Sequence, residues 1–498
     1  MEPELVSVEI DEYEDMVVAG SAPIPVYEIH VPVENREGDA SEYMADLLEK
    51  YGISSSTTKY GDRPTIYMVP MELKWGDDIK CYDPVAVEIG LCRRRSTVYT
   101  EELQSYKSCC VRQLISQRSL LVHCFETMKC LYPKIQASYS KRFAVGDEMN
   151  VARTMLLDGC FILHRLLKYA RFAGKREANC SEGRMKRASS SMVHPDDTDD
   201  LTQVVGRCCV WQLVTRDLLL LENQIPFFVL LELFGLLKND QRQDTLVKGS
   251  LMLFRSLCPQ MLRRTVSVSA IVPSGVHHLL HLFYLLVGFE PTGENEGHDP
   301  RRQVDVLPSK LPQWIPGAKE LEEAGIRFRK RKNAKTFLDI KFDFQSGVLE
   351  IPPLQLYDYS DALFRNLIAF EQTYPGTRFD ISTYSVFMNC LINTPEDMRI
   401  LHLRGILVNM MNGKQDASHF FNRICSQVHF PSKNYLVKLM GEVSKYKDSR
   451  RHKWRAALVR DYFSNPWVAI SVVAAVLLLG MTVVQTFFTV YPYFKPRN

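Results

Sequence analysis

Cys160 and His164 stand four residues apart, a spacing that places a thiol and an imidazole on one helix face, as a nucleophile and its base would need. The surrounding stretch 155–163 is strongly apolar, and a free cysteine in such a run is more often core packing than a reactive group. His277, His278 and His281 offer a pair at i and i+4 that can grip a metal, yet no nearby cysteine or carboxylate completes a ligand set. Asp196, Asp197, Asp199 and Asp200 lack the glycine and the distal glutamate of a calcium loop. Glu222, Asn223 and Gln224 interrupt the apolar run 217–230, with Asp217 at its start and Pro226 following. Polar groups in such a place need hydrogen-bond partners, so they read first as a structural network and second as a ligand site. GxxxxGK followed by Ser or Thr, GxGxxG, HExxH and GxSxG are all missing, which removes the usual support for phosphate-loop, dinucleotide, zinc-protease and hydrolase-elbow chemistry.

The elements that would hold these residues are mostly helices. Apolar residues recur at three and four spacing over 100–131 and 148–172, with Met155, Leu156, Cys160, Leu163 and Leu167 on one stripe. Residues 204–237, 245–257, 276–287, 361–372, 383–391, 395–408 and 417–428 read the same way, and Pro226 is expected to kink or restart the helix around it. Between them, 325–329, 337–344 and 348–354 alternate or carry β-branched and aromatic residues between Gly and Asn breaks, which predicts a small antiparallel sheet near 325–354. Flexible loops are expected near 175–200 and 288–312.

The carboxyl end has another character. Residues 467–491 hold no charge and at ~1.5 Å per residue reach ~37 Å, enough for a ~30 Å hydrocarbon core. Val472, Leu478, Gly480 and Val484 lie within this stretch, and Trp467 and Tyr491 flank it where aromatic rings favour the interface. Arg450, Arg451, Lys453, Arg455 and Arg460 precede it, against only Lys495 and Arg497 after it, so the expectation is one transmembrane helix with the body left in the cytosol. The start of the chain agrees, because residues 1–15 carry five Glu and two Asp and no basic residue or apolar core of a signal peptide. Insertion would then await the end of synthesis, as in a tail-anchored protein.

Composition bounds the rest. With 498 residues, 46% hydrophobic and 24% charged, the chain has ordinary globular content, and a net charge of +3 argues against a nucleic-acid binder. The thirteen cysteines form no CxxC, which fits a reduced set better than disulfides or zinc, and no cofactor is expected. Two charged features suggest regulation. Arg327, Arg329, Lys330, Arg331 and Lys332, joined by Lys335, sit at the expected hairpin turn, where they can meet anionic lipid headgroups or simply be solvated. Lys186-Arg187-Ala188-Ser189 places a basic pair before Ser189, a candidate phosphosite in the polar loop.

Several of these segments, in this order, resemble the plant family catalogued as domain of unknown function 247. Asp217-Leu-Leu-Leu-Leu-Glu-Asn-Gln-Ile-Pro-Phe-Phe-Val-Leu230 is similar to its hallmark LENQIPFFVL segment. Met155-Leu-Leu-Asp-Gly-Cys-Phe-Ile-Leu163, Glu323-Ala-Gly-Ile-Arg-Phe328, Gly347-Val-Leu-Glu-Ile-Pro-Pro-Leu354 and Phe364-Arg-Asn-Leu-Ile-Ala-Phe-Glu-Gln372 stand around it. Where many members continue an early segment with Pro-Tyr-His-His, this chain has Val87-Glu-Ile-Gly90 and then Leu91-Cys-Arg-Arg-Arg95, so no role of those histidines transfers. The resemblance implies a single carboxy-terminal span. It also implies a part in recognition, since grass members are associated with self-incompatibility loci as candidate pollen-side determinants.

The expected organisation is therefore an acidic, poorly ordered segment over 1–60 and a helical body with a small sheet over 61–444. A basic juxtamembrane segment over 445–466, the span over 467–491 and a tail over 492–498 complete it. The expected function is that of a membrane-anchored recognition or signalling protein that binds the bilayer and an unidentified protein partner. The alternative is an enzyme with an unfamiliar site in the helical body, around Glu222 or Asp158.

Overall fold

The computed structural model describes residues 63–74, 76–92, 100–141, 143, 145–181, 210–238, 244–258, 271–288, 314–334, 336–411, 417–429, 431, 434–449 and 466–494. The segment 1–60, Ser189, the acidic cluster 196–200, Lys335, most of the loop 288–312, the five juxtamembrane basic residues and the tail beyond 494 lie outside them.

Two helices, Thr100–Leu114 (α1) and Arg118–Cys130 (α2), and the short Tyr132–Ser138 (α3) lead into Glu148–Ser181 (α4), the 34-residue centrepiece of the body. Val151, Met155, Phe161, Leu163 and Leu166 are buried on α4, which packs against α1, α2, Phe227–Lys238 (α6) and Asp244–Phe254 (α7). Close approach depends on glycine at two crossings. A Cβ on Gly159 would stand 2.4 Å from the Leu233 side chain, and one on Gly249 would stand 2.3 Å from the Leu166 carbonyl oxygen. The expected loop at 175–200 begins later than the composition suggests, because α4 continues to Ser181.

The helical run expected over 204–237 restarts at Pro226 as expected but stops earlier than the periodicity suggests. Val210–Asp217 (α5) ends, residues 218–226 leave the helix, and α6 restarts at Phe227 directly after Pro226. Leu218, Leu219, Leu220 and Leu221 are all buried there, so the apolar run marks a core loop rather than a helix face. Leu279–Val287 (α8) follows, then Ala318–Glu323 (α9).

The small sheet is mixed rather than antiparallel. Arg327–Lys330 (β1) pairs in parallel with Val348–Ile351 (β3), which pairs antiparallel with Lys341–Asp343 (β2), in the order β1-β3-β2. Charge explains the arrangement: Glu350 on β3 has Arg329 and Lys341 as its register partners on either side. The hairpin is formed by β2 and β3, where Asp343 accepts hydrogen bonds from the Gln345 amide (3.0 Å) and the Ser346 hydroxyl (2.5 Å), and Gly347 takes φ +63°.

Leu354–Leu356 (β4) pairs in parallel with Leu407–Asn409 (β5), and β5 occupies what the periodicity predicts as the end of a helix. Asp358–Thr373 (α10), Asp380–Leu391 (α11), Pro395–Leu403 (α12) and Ala417–Ile424 (α13) complete the second half, and Val437–Asp448 (α14) rests on β2 through Tyr446 and Phe342. The last helix, Pro466–Phe494 (α15), has 29 residues and coincides with the stretch read as a span. Among the described residues no helix is long and apolar enough to cross a membrane.

Candidate functional site

The polar residues of the 217–224 segment are buried, and each has named partners. Asp217 ends α5 with its carboxylate turned into a nest of consecutive amides: Val85, Ala86 and Val87 donate to Oδ2 at 2.9, 2.6 and 3.0 Å. Arg216 donates to Oδ1 at 2.7 Å and also reaches the Asp83 and Lys80 carbonyls. Burial pushes the Asp217 carboxyl above its ordinary range, while Arg216 and the amides of Ala86 and Val87 act against that rise.

Glu222 accepts the Val69 amide at 2.7 Å and forms a buried ion pair with Lys74 at 2.6 Å. Asn223 accepts the Ile89 amide at 2.7 Å and donates to the Val87 and Asp217 carbonyls. These bonds strap residues 65–92 across the body, a segment in which Met71–Leu73 and Gly76–Cys81 form 3-10 turns and Ile66 makes an isolated parallel bridge to Tyr139. Gly90 sits where the strap is tightest. Its φ is +78°, its amide donates to Asp158 at 2.8 Å, and a Cβ there would come within 2.2 Å of the Gln224 carbonyl oxygen. The other Asp158 oxygen meets Lys107 at 2.6 Å, and Lys107 also donates to the Glu88 carbonyl.

Gln224 turns inward and replaces helical bonding for its own loop. Its Nε2 donates to the Leu218 and Leu220 carbonyls at 2.8 Å, and its Oε1 accepts the Leu280 amide in the first turn of α8. Asn366 on α10 accepts the Leu221 amide and donates to the Cys81 carbonyl, so the strap, the loop and α10 meet at one side chain. Pro226 carries no amide hydrogen, and the next donor, the Phe227 amide, reaches the His277 carbonyl at 2.7 Å.

The three histidines sit at the start of α8. His278 accepts the His281 amide at Nδ1 as the N-cap, and its Nε2 faces the Thr65 carbonyl at 3.1 Å, an arrangement that requires the neutral Nε2–H tautomer. His281 accepts the His277 amide at Nδ1, and His277 Nε2 meets the Tyr374 hydroxyl at 2.5 Å. Burial drives all three below the ordinary imidazole range, His281 to about 3. Nearby, the fully buried Glu371 accepts the Ile381 and Ser382 amides at the head of α11, and burial raises its carboxyl to about 7.

Other sequence candidates fall elsewhere. Cys160 is buried in the core, the stronger of its two readings, with its thiol pushed up by burial to about 12, and His164 Nδ1 lies 3.7 Å from Cys110 on α1. Of the basic cluster, Arg329 and Arg331 are paired with Glu350, Arg331 also with Asp339, and Arg327 donates to the Ser346 carbonyl. Lys330 and Lys332 are exposed, on β1 and just beyond it rather than at a hairpin tip. Among the described residues no three of His, Cys, Asp and Glu are placed to hold a metal. A cleft lined by Arg216, Leu219, Leu220, Leu257, Tyr359, Ala362 and Leu363 encloses about 210 Å³ counting space open to solvent, below the ~300 Å³ lower end of ligand pockets.

Lys74, Lys107 and Asn366 escape sequence reasoning. Each lies far along the chain from its partner, and only Asn366 falls in a segment singled out by resemblance.

The profile of a family described as a plant protein of unknown function, DUF247, matches residues 66–481. A UPF0481 protein of Arabidopsis thaliana is 26% identical over 386 residues, covering 74% of this chain and 73% of that protein. Another from the same plant is 28% identical over 207 residues, covering 40% and 39%. No solved structure matches the chain.

Proposed function

The chain belongs to the DUF247 family of plant proteins, and on that footing we propose that it is a membrane-anchored recognition protein that presents its helical body to a protein partner. One observation carries the proposal. Ile470, Val476, Leu477, Leu478, Leu479, Met481, Val483, Val484, Phe487 and Phe488 on α15 are each 55–71% exposed, a bare apolar surface that water disfavours and a bilayer accepts. α15 runs for 29 residues, ~43 Å. The excess of basic residues before the helix sets the body on the cytosolic side.

Recognition is favoured over catalysis by how the charged groups are employed. Asp158 and Glu222, the carboxylates through which an enzymatic reading would run, each hold a lysine ammonium and a backbone amide inside the fold. The grass relatives supply the finer proposal, a pollen-side part in self-incompatibility. Alkaline carbonate extraction of membranes bearing the full chain, and of a chain ending at residue 465, tests the anchor: the first is expected in the pellet and the second in the supernatant. Recovery of both in one fraction would count against it. Sequencing the locus across compatible and incompatible plants tests the finer proposal, which fails if variation at the locus does not segregate with mating phenotype.

A further inference from the structure

The last helix has two unlike sides. Ser471, Ala475, Leu478, Thr482, Gln485 and Thr489 follow one another at alternating spacings of four and three, the repeat that keeps one seam facing a partner helix. Val476, Val483, Val484 and Phe487 lie on the far side and carry only hydrocarbon.

Within the seam, Thr482 donates its hydroxyl to the Leu478 carbonyl and Thr489 donates to the Gln485 carbonyl, both at 2.8 Å, so these polar groups are satisfied along their own helix. Gln485 differs. Its carboxamide is exposed and has no hydrogen-bond partner among the described residues. In a hydrocarbon core an amide with two donors and an acceptor left open costs several kcal/mol, and no water is at hand to relieve it.

We infer that α15 pairs with α15 of a second copy of this chain through this seam, with Gln485 of each copy donating to the other's amide oxygen. The inference rests on the membrane-span reading above. A second copy is the fitting occupant because a carboxamide is its own complement across a two-fold axis. Ser471 and Ala475 are small enough to let the two backbones approach, and the seam holds no charge that would call for an opposite one. The pair sets two bodies side by side on one membrane face.

The test uses full chains carrying two different fluorophores, reconstituted in phosphatidylcholine vesicles at several protein-to-lipid ratios. Energy transfer above that of an unrelated single-span control is expected. Gln485→Leu should weaken pairing on the order of tenfold, Gln485→Asn should restore part of it, and Val483→Leu on the far side should leave it unchanged. Circular dichroism verifies that each variant keeps its helix content. Protein that resists carbonate extraction yet transfers no more energy than the control overturns the pairing and leaves the span standing. Equal pairing by Gln485→Leu and the parent overturns the role of the amide, and ready extraction of the parent removes both readings.

Discussion

Replacing Asp217 with alanine removes the acceptor of three successive amides at once. Ala86 and Val87 are 0% and 1% exposed, so their N–H groups cannot turn to water, whereas Val85 at 39% can. Each stranded buried donor costs about 1–3 kcal/mol, which sets the loss for Asp217→Ala at roughly 4 kcal/mol. Arg216 keeps the Asp83 and Lys80 carbonyls and moderates its own share. Asp217→Asn is gentler: its amide oxygen can fill the nest while its NH2 faces the Arg216 guanidinium, for a loss of about 2 kcal/mol. Urea denaturation of the full chain in detergent, followed by fluorescence of its tryptophans, should rank parent above asparagine above alanine. Hydrogen exchange gives the local readout, because the amides of residues 85–87 should lose protection in Asp217→Ala before those of α4. A loss under ~1 kcal/mol with those amides still protected would refute the idea that the carboxylate holds the strap.

Three further outcomes are expected. Gly90→Ala forces a side chain into φ +78° and against the Gln224 carbonyl, so thermal unfolding should register a loss of about 3 kcal/mol; an unchanged midpoint would show that the strap can shift. His281 is held neutral down to about 3 while an unfolded histidine protonates near 6.5, so its contribution is intact above pH 6.5 and is lost as pH falls toward 3, by about 2 kcal/mol at pH 5. His278, also lowered, adds to that slope, and His278→Asn, which keeps a capping oxygen but cannot protonate, should lessen it; urea midpoints between pH 5 and 7.5 that match the parent's would speak against this. Glu371 works in the opposite direction: with its carboxyl raised from 4.5 to about 7, its contribution is present below pH 4.5 and is lost as pH climbs through 7, a swing of roughly 3 kcal/mol. Glu371→Gln should flatten that alkaline limb between pH 5 and 8, and a limb as steep as the parent's would remove Glu371 as its source.

The helices were legible where a long stripe of apolar residues had a polar side to contrast with, as on α4 and α10. They were illegible at 218–221, where four leucines are buried together, Gln224 serves the Leu218 and Leu220 carbonyls, and Asn366 accepts the Leu221 amide in place of a helix. Periodicity cannot register a side chain that stands in for a backbone turn. The sheet was placed correctly in the chain but its direction was misread, because pairing followed Glu350 between Arg329 and Lys341, a contact set by charge across strands. Glu222, Asn223 and Gln224 stood out from composition alone. Their partners did not, since a lone lysine such as Lys74 or Lys107 looks like any solvated lysine until the strap is laid beside the loop.

The strap also dictates an order of events during synthesis. The Cys81 carbonyl is held by Asn366, 285 residues later, and the amides of Val85, Ala86 and Val87 wait for Asp217, 132, 131 and 130 residues later. At ~5–20 residues per second the ribosome needs roughly 15–60 s to supply Asn366 after Cys81 has emerged. Until Asp217, Glu222 and Asn223 have been made, Val69, Ala86, Val87 and Ile89, all buried in the finished body, lack the acceptors that hold their amides. The portion of the body made first thus waits for the 217–223 segment to hold it, and a nascent chain halted before Asp217 exposes a sticky leading segment that chaperones can bind.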